Sequence, residues 1–335
     1  KDKEFVFSIF LEYQNMLRIS SVYDIDDITV QALAQWNAPI WRRERRDSGF
    51  DYIFVDEMHL FNINEQHVFH YLTKSAEQKQ IPICFALDYG QAIGDRGNTN
   101  RDYIETAFGE VERNDYKTVF RCSQQITDFC AAISASGALM FQNDYRDPYD
   151  IAASGFTQQE EAVCDIPRLY MYSNEEEMIE SLKGHVDRFK QETQCKNYDI
   201  ALISFEDTLL IPQNVEKLSS LLGKKMYVLK NRQTSSLSRS IKTDDPIILS
   251  DPYNVNGLEF KCVILFGVDE GRLPQNTGVS DISANYIKYI AFNQLYLASS
   301  RAKYRLILIG NSLHGVSSCL QYALESGKLE TGDQV

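Results

Sequence analysis

Short apolar runs recur along the chain, and between them apolar residues repeat every three or four positions. The runs are rich in β-branched and aromatic residues, which predicts strands, and the segments between them are long enough for helices. The predicted strands are Tyr52–Val55, Ile81–Leu87, Thr118–Phe120, Ile200–Phe205, Met226–Leu229, Ile247–Ser250, Lys261–Gly267 and Arg305–Ile309. The predicted helices are Phe5–Arg18, Glu65–Glu77, Ser123–Leu139, Asn174–Glu192, Gln213–Leu222, Ser283–Arg301 and Ser317–Glu325. Such alternation indicates βαβ units and an α/β fold with parallel sheets.

The chain is long enough for two domains, and a polar stretch, VERNDYK, places a boundary near residue 115. We therefore predict one domain over residues 1–115 and a second over residues 116–335. The first reads as part of an α/β domain, and the second as a nearly complete one. Residues 142–165 are rich in Asp, Gln, Tyr and small residues, which favours a long loop over a further domain.

The amino-acid composition limits the classes of protein to which the chain can belong. The chain is 44% hydrophobic and 24% charged, as in ordinary globular proteins, and no apolar run is long enough for a membrane span. Its seven cysteines are scattered and form no CxxC pair, which argues against a zinc site or a disulfide framework and favours a reducing, cytoplasmic location. Because the net charge is -13, any DNA contact needs a local basic groove.

Two adjacent carboxylates, Asp56 and Glu57, end the first strong strand in the sequence FDYIFVDEMHL. Open α/β sheets place their ligands at the carboxyl ends of strands, where paired acids can hold Mg²⁺ and a water molecule. The alternative is a strand followed by an acidic helix cap.

A second acidic-ended strand lies in the sequence IPICFALDYGQAIGDRG. Asp88 closes the strand, and Gln91 lies three residues later in a loop that contains glycine. A glutamine in this position can donate to a terminal phosphate and accept from a water molecule, so it can sense the γ-phosphate of a nucleotide. A solvent-exposed loop glutamine is the alternative.

The third segment, KTVFRCSQQITDF, places Phe120 and Arg121 at the end of a short strand. An aromatic ring can cover a nucleobase, and arginine can bind a phosphate through two hydrogen bonds. Ser123 is a good N-cap for the helix that follows. The alternative is a core phenylalanine beside a surface arginine.

Two further segments carry candidate residues near the end of the chain. In NVNGLEF the turn between two strands needs Gly257 and presents the carboxylate of Glu259 to a ribose or a neighbouring side chain. A plain connection is the alternative, although EGRLP follows closely. In LYLASSRAK, Arg301 ends a helix and can offset charge in phosphoryl transfer. Complementing the helix dipole is the alternative.

In this order, the segments resemble motifs of the UvrD/Rep-like superfamily-1 DNA helicases over roughly residues 10–310. FVDEMH resembles the Walker B motif, ALDYGQAIG resembles GDxxQSIY, and VFRCS resembles NYRS. NVNGLEF is similar to KGLEF, LYLASSRAK to LYVALTRAK, and YDIDDI to the acidic DFDDLL helix.

The resemblance implies two RecA-like domains of the P-loop NTPase type, the first incomplete at its amino end, with ATP and Mg²⁺ in the cleft between them. It implies that Asp56 holds Mg²⁺ and that Glu57 polarises the attacking water. It also implies that Gln91 senses the γ-phosphate, that Phe120 stacks on adenine and that Glu259 meets the ribose. Arg121 and Arg301 are implied to come from the second domain and close on the γ-phosphate. Asp88 and Gly257 are further implied nucleotide-binding residues. The implied activity is ATP-driven movement along single-stranded DNA in the 3′→5′ direction.

The chain departs from the family pattern in several places. No GxxxxGK[ST] phosphate-binding loop occurs, so we expect that loop in a segment upstream of Lys1 and expect this chain to be inactive by itself. His59 and Leu60 stand where the family has Gln and Asp, and His59 is given no special role. Two alternatives stay open: a non-hydrolysing helicase-like module that binds a protein partner or DNA, and a subunit that a partner completes in a nuclease or defence complex.

Overall fold

The computed structural model describes residues 2–76, 81–88, 111–112, 114, 116–141, 153–229, 239–276 and 281–333. The chain divides into two compact units, Lys1–Arg113 and Asn114–Val335.

The first unit is largely helical in its described part and contains a short parallel sheet. Its helices are α1 (Asp2–Ser20), α2 (Ile25–Trp36), α3 (Pro39–Ser48) and α4 (Ile63–Leu72), and its strands are β1 (Ile53–Val55) and β2 (Ile83–Phe85). The two strands pair in parallel, with Ile53 opposite Ile83. α4 begins with a capping box in which Asn62 and Glu65 satisfy each other's backbone N–H groups.

The first unit exposes many large apolar side chains. Phe54, in the middle of β1, is 79% exposed, although parallel sheets are normally covered on both faces. α1 exposes apolar side chains along much of its length, namely Phe5, Val6, Phe7, Ile9, Phe10, Leu11, Met16 and Ile19. Contiguous exposed apolar surface on this scale is typical of an interaction surface.

The second unit is an α/β domain built on a seven-stranded parallel sheet. In chain order its sheet strands are β5 (Arg168–Tyr172), β6 (Ile200–Ser204), β7 (Met226–Val228), β8 (Ile247–Ser250), β9 (Phe260–Phe266), β10 (Ala302–Asn311) and β11 (Glu330–Thr331). They are arranged in space as β11-β5-β10-β9-β6-β8-β7. Two short strands, β3 (Thr118–Val119) and β4 (Ala153–Ser154), pair in parallel as a separate sheet.

Helices cover both faces of the large sheet. The helices of the second unit are α5 (Gln124–Phe141), α6 (Gln158–Glu161), α7 (Glu175–Thr193), α8 (Pro212–Leu222), α9 (Arg239–Asp244), α10 (Asp281–Ser299) and α11 (Gln321–Glu325). Successive residues of β9 alternate between two cores: Val263 and Leu265 pack with α5 and α10, while Ile264 and Phe266 pack with α7 and α8. Since side chains alternate between the faces of a strand, a doubly covered strand is apolar throughout.

The α/β prediction is confirmed, and every predicted strand is present within two or three residues of its predicted ends. The long-loop prediction for residues 142–165 is wrong in part, because β4 and α6 lie within it. The strands β5 and β11 and the helices α3 and α9 were not predicted as elements, and α2 was indicated only by the resemblance of YDIDDI to an acidic helix. Among the residues that the structure describes, no helix combines the length and apolar content needed to cross a membrane.

Candidate functional site

The two predicted acids lie where β1 ends in the first unit. Asp56 is exposed, and its Oδ1 accepts a hydrogen bond of 2.9 Å from the backbone N–H of Glu57. Glu57 is half-buried and adopts the left-handed conformation, with φ 53° and ψ 43°. This conformation costs a residue with a side chain about 1–3 kcal/mol and is concentrated at functional sites.

His59 connects the ends of the two strands of the first unit. Its ring is buried, and Nδ1 accepts a hydrogen bond of 3.2 Å from the backbone N–H of Asp88, at the end of β2. Because Nδ1 is the acceptor, the neutral ring carries its proton on Nε2, which lies 3.3 Å from Oε2 of Glu57. His59 thus hydrogen bonds the second strand end and lies 3.3 Å from the Glu57 carboxylate, a position that the sequence did not reveal.

The acidic turn suits a magnesium ion that is also bound by phosphate and water. Within the described ranges, no group of three or more His, Cys, Asp or Glu side chains forms a ready-made metal site. Mg²⁺ in phosphoryl-transfer sites is usually held by one or two carboxylates, with substrate oxygens and water completing the octahedron. The exposed carboxylate of Asp56 fits that donor set.

Asp88 and Gln91 differ in what the structure describes of them. Asp88 is half-buried after β2, and its backbone is bound to His59 as given above. Gln91 lies outside the described residues, so its role as a γ-phosphate sensor stays a prediction.

In the second unit, the GLEF turn lies at the amino end of β9. Gly257 has φ 77°, a conformation that residues with side chains rarely adopt, which accounts for glycine in this turn. Leu258 is buried in the core, whereas Glu259 remains 44% exposed at its side chain. Leu258 therefore anchors the turn in the core, while Glu259 is presented to solvent.

Arg121 and Glu259 form an ion pair, although 138 positions separate them in sequence. Nε of Arg121 lies 3.0 Å from Oε1 of Glu259, and Nζ of Lys303 lies 3.8 Å from Oε2. The backbone N–H of Ser123 donates to the carbonyl of Lys303 and so fixes the segment after β3 beside β10. Since a partly exposed ion pair contributes about 0–1 kcal/mol, Arg121 can exchange Glu259 for a phosphate at little cost.

Phe120 presents an open aromatic face next to this ion pair. Its side chain is 74% exposed, and the ring lies so close to Gly155 that a Cβ atom at position 155 would overlap it. Gly155 is itself held by a 2.8 Å hydrogen bond from its N–H to the carbonyl of Val119. Phe120 is therefore not a core residue, and one face of its ring is supported while the rest meets solvent.

Arg301 is fully buried at the junction of α10 and β10. Its guanidinium donates to the carbonyls of Leu297 and Leu258 and to the hydroxyl of Ser300, at 3.1, 3.4 and 3.0 Å. It therefore joins the last turn of α10 to the GLEF turn, as the helix-dipole alternative suggests. Burial also raises the pKa of the nearby Cys122 thiol to about 11, so this thiol stays neutral beside the arginines. Contact between Arg301 and a phosphate stays a prediction.

A separate network of charges lies at the carboxyl ends of the strands of the large sheet. Asp269 is buried after β9, and its Oδ2 accepts a hydrogen bond of 2.6 Å from Nδ1 of His314. Arg272 lies 2.9 Å from Glu206 and 3.3 Å from Glu175. These residues follow the carboxyl ends of their strands, or begin α7, and they tie the surrounding loops together away from the GLEF turn.

The structure thus brings Phe120, Arg121, Gly257, Glu259 and Arg301 together at the amino ends of β9 and β10, and Asp56, Glu57 and Asp88 at the strand ends of the first unit. Sequence reasoning missed His59 and Lys303. The histidine carried a signal, since it replaces the glutamine of the resembled motif. Lys303 carried none, because its importance depends on a pairing across the fold.

Comparisons with known proteins add little to this picture. No protein-family model matches the chain, and no curated protein matches it. The chain is similar to the C-terminal domain of a possible DNA helicase from Lactobacillus plantarum WCFS1, with 18% identity over 64% of this chain and 99% of that domain. The TM-score is 0.41. A similarity at this identity and TM-score establishes neither the fold nor the function of the chain.

Proposed function

We propose that the chain is part of an ATP-dependent DNA helicase or translocase with two RecA-like domains, residues 1–115 and 116–335. The observation that supports this most strongly is the convergence of Phe120, Arg121, Glu259 and Arg301. Three sequence segments that resemble nucleotide-binding motifs supply them, and they meet beside the amino ends of β9 and β10. Chance similarity of short motifs gives no reason for such a meeting.

In the first unit, the proposed chemistry is that of phosphoryl transfer to water. Mg²⁺, when bound by Asp56 and the nucleotide, offsets negative charge on the phosphates. Glu57 accepts a proton from the attacking water, and His59 orients its carboxylate. Asp88 supports this arrangement through its backbone N–H, which holds the imidazole ring. Gln91 is proposed to sense the γ-phosphate.

In the second unit, the proposed role is recognition of the nucleotide. The exposed ring of Phe120 stacks on adenine, Glu259 binds the ribose hydroxyls, and Arg121 leaves Glu259 to bind a phosphate. Gly257 gives the turn the conformation that presents Glu259. Arg301 is proposed to act on the γ-phosphate as the resemblance implies. Hydrolysis is then coupled to movement on single-stranded DNA, and we expect a 3′→5′ direction. The proposed location is the cytoplasm.

The direct test measures ATP hydrolysis by the product of the complete gene, with single-stranded DNA, duplex DNA or no DNA. We expect magnesium-dependent turnover that single-stranded DNA stimulates more strongly than duplex DNA does. Magnesium-independent turnover, or turnover that ignores DNA, would overturn the proposal. Strand displacement on substrates with 3′ or 5′ overhangs then determines direction.

Phe120→Ala is expected to weaken ATP binding about 5- to 150-fold, because base–aromatic stacking is worth about 1–3 kcal/mol per base. The side chain is 74% exposed, so the free energy of unfolding should change little. Equilibrium binding of ATP and of inorganic triphosphate distinguishes the role. Stacking predicts that the variant loses affinity for ATP alone, while equal losses for both ligands would contradict it. Phe120→Trp, which keeps a stacking surface, is the matched control.

His59→Ala is expected to lower the turnover number about 10- to 100-fold with little change in the Michaelis constant for ATP. Outer partners of metal and catalytic carboxylates typically have effects of this size. His59→Gln keeps a donor at this position and should recover most of the turnover. Since His59 is buried, thermal unfolding of both variants must be measured. If turnover falls only in proportion to the loss of folded protein, and His59→Gln does not recover it, His59 has a structural role in the core and no role in turnover.

A second candidate function is a helicase-like module that binds a protein partner without hydrolysing ATP. The exposed apolar side chains of α1, including Phe7 and Ile19, favour it, because free monomers rarely expose such a surface. Absence of a GxxxxGK[ST] loop from the complete gene product would favour it further. This candidate predicts no ATP turnover by the complete gene product in the presence of DNA. A nuclease or defence complex in which the partner completes the site is the related proposal.

A further inference from the structure

Helix α3 concentrates positive charge on a chain that is otherwise acidic. Four of its ten residues are arginines and two are acids, in the sequence PIWRRERRDS. The chain as a whole has a formal net charge of -13. The helix is therefore a local basic feature of the kind that a nucleic-acid contact on this chain requires.

The inner side of α3 is fixed against its neighbours. Arg45 is buried, and Nε1 of Trp41 donates a hydrogen bond of 3.2 Å to the carbonyl of Tyr71 in α4. The ring centroid of Trp41 lies 6.3 Å from that of Trp36, the last residue of α2. Because two helices hold α3, the side chains on its outer side start from fixed positions.

Three arginines share that outer side. Arg42, Arg43 and Arg46 are all exposed, and at 3.6 residues per turn they fall within an arc of about 100°. Arg46 follows Arg43 by three positions and Arg42 by four, and helical side chains at these spacings are neighbours. By the same geometry, Glu44 projects from roughly the opposite side of the helix. We call the three side chains the arginine face.

The arginine face is not neutralised by acids of the chain that the structure describes. Nη2 of Arg42 donates a hydrogen bond of 2.8 Å to Oδ1 of Asn37, which is a neutral partner. Among the described residues, neither Arg43 nor Arg46 has an ion pair. The face can therefore bind an anion from outside the chain without first breaking an ion pair.

A structural role explains only part of this charge. Cations in the last turn of a helix complement its dipole, which accounts for Arg45 and Arg46. Arg42 and Arg43 precede the last turn, and like charges three or four positions apart destabilise a helix. An anion bound across the arginine face removes this repulsion.

We propose that the arginine face binds the phosphate backbone of single-stranded DNA. Arginine stays charged and binds phosphate oxygens through two hydrogen bonds. From Arg42 to Arg46 the face is about 6 Å long, at about 1.5 Å per residue. This length suits neighbouring phosphates of one strand, whereas the major groove of a duplex is about 12 Å wide. The choice of DNA as the nucleic acid rests on the proposed function, and the choice of a phosphate backbone rests on the arginines.

The test measures binding of a labelled single strand of mixed sequence to the complete gene product over a range of salt concentrations, without nucleotide. The variant combines Arg42→Gln, Arg43→Gln and Arg46→Gln. The slope of log affinity against log salt should become shallower by about 0.7 for each arginine, and binding in 0.1 M salt should weaken about 100-fold. Glutamine is a good helix former and the three positions are exposed, so circular dichroism should show the fold retained. An unchanged slope would overturn the proposal.

Two matched variants show whether the charge of this face is responsible. Lysine at all three positions keeps the charge and should retain the slope, so a loss as large as with glutamine would overturn the proposal. Arg18→Gln removes an exposed arginine from α1 and should leave the slope as it is. An equal loss per arginine in that variant would reduce the effect to net charge. A loss confined to duplex DNA, or tighter binding of polyglutamate than of the single strand, would also overturn the proposal.

Measuring binding without nucleotide separates this inference from the proposed function. Normal DNA binding by the glutamine variant, in a protein that hydrolyses ATP, would overturn the role of the arginine face and leave the proposed function standing. DNA binding that depends on the face, in a protein without ATP turnover, would support the face and overturn the proposed function.

Discussion

Replacing Glu57 with Gln is expected to lower ATP turnover at least about 100-fold while ATP still binds. Removal of a group that transfers a proton in the transition state typically costs about 10²–10⁴-fold. The glutamine side chain has the same size and keeps a carbonyl oxygen for the contact with Nε2 of His59. The substitution therefore removes the basicity of residue 57 and preserves the turn. Single-turnover hydrolysis by the complete gene product, with ATP binding measured separately, gives both quantities.

Glu44→Gln provides a matched control for the change in charge. Glu44 is exposed on α3 of the same unit, so its substitution should alter neither binding nor hydrolysis. Unchanged turnover in Glu57→Gln would remove Glu57 from the catalytic role. A loss of ATP binding equal to the loss of turnover would make residue 57 part of the binding surface instead.

The central strands β6 and β8 of the second unit were predictable because burial on both faces makes them apolar at nearly every position. All five residues of β6 are buried, and the sequence IALIS shows it without any periodicity analysis. Strand β5 was missed because its sequence, RLYMY, begins with a charged residue and mixes polar rings with apolar side chains. Helix α3 was missed because arginines fill its polar turns, and one of them, Arg45, is buried. Pattern alone does not predict a buried arginine.

Some missed elements did carry a local signal. Thr157 and Glu160 form a capping box at the start of α6. The spacing T-x-x-E in the sequence predicts such a box. The polar composition of residues 142–165 predicts a loop instead. A helix of one turn that its cap stabilises needs no apolar stripe. Polar composition therefore does not exclude a helix as short as α6.

For the candidate site, sequence predicted residue types at strand ends but not their partners. The acids after β1 follow from the geometry of parallel sheets, which place ligands at the carboxyl ends of strands. The turn before β9 lies at an amino end and follows only from the local need for Gly257. The Arg121–Glu259 pair depends on how a separate two-stranded sheet lies beside β10, which no local pattern encodes. The role of His59 likewise depends on the left-handed turn at Glu57 and on the backbone of Asp88.

Replacing Arg301 with Ala is expected to lower the free energy of unfolding of the second unit by about 2–4 kcal/mol. Hydrogen bonds from a charged donor are worth about 1.5–3 kcal/mol each, and the desolvation of the guanidinium offsets part of that sum. The carbonyls of Leu297 and Leu258 would lose a buried donor. Urea unfolding measures the change. Far-UV circular dichroism reports the helices and strands of both units, whereas both tryptophans, Trp36 and Trp41, belong to the first. A dichroism transition without a matching change in tryptophan fluorescence therefore reports the second unit.

Arg121→Ala is the matched control, since it removes the same side chain from a half-exposed ion pair and should change stability by less than about 1 kcal/mol. Comparable destabilisation by both variants would contradict the structural role of Arg301. In the complete gene product, the same Arg301 variant also tests the phosphate role. A fall in turnover beyond the loss of folded protein, with ATP affinity kept, would require the buried guanidinium to reach phosphate during the reaction. An equal loss of turnover and affinity would make it a binding residue. A loss that follows unfolding alone would leave Arg301 the tie between α10 and the GLEF turn.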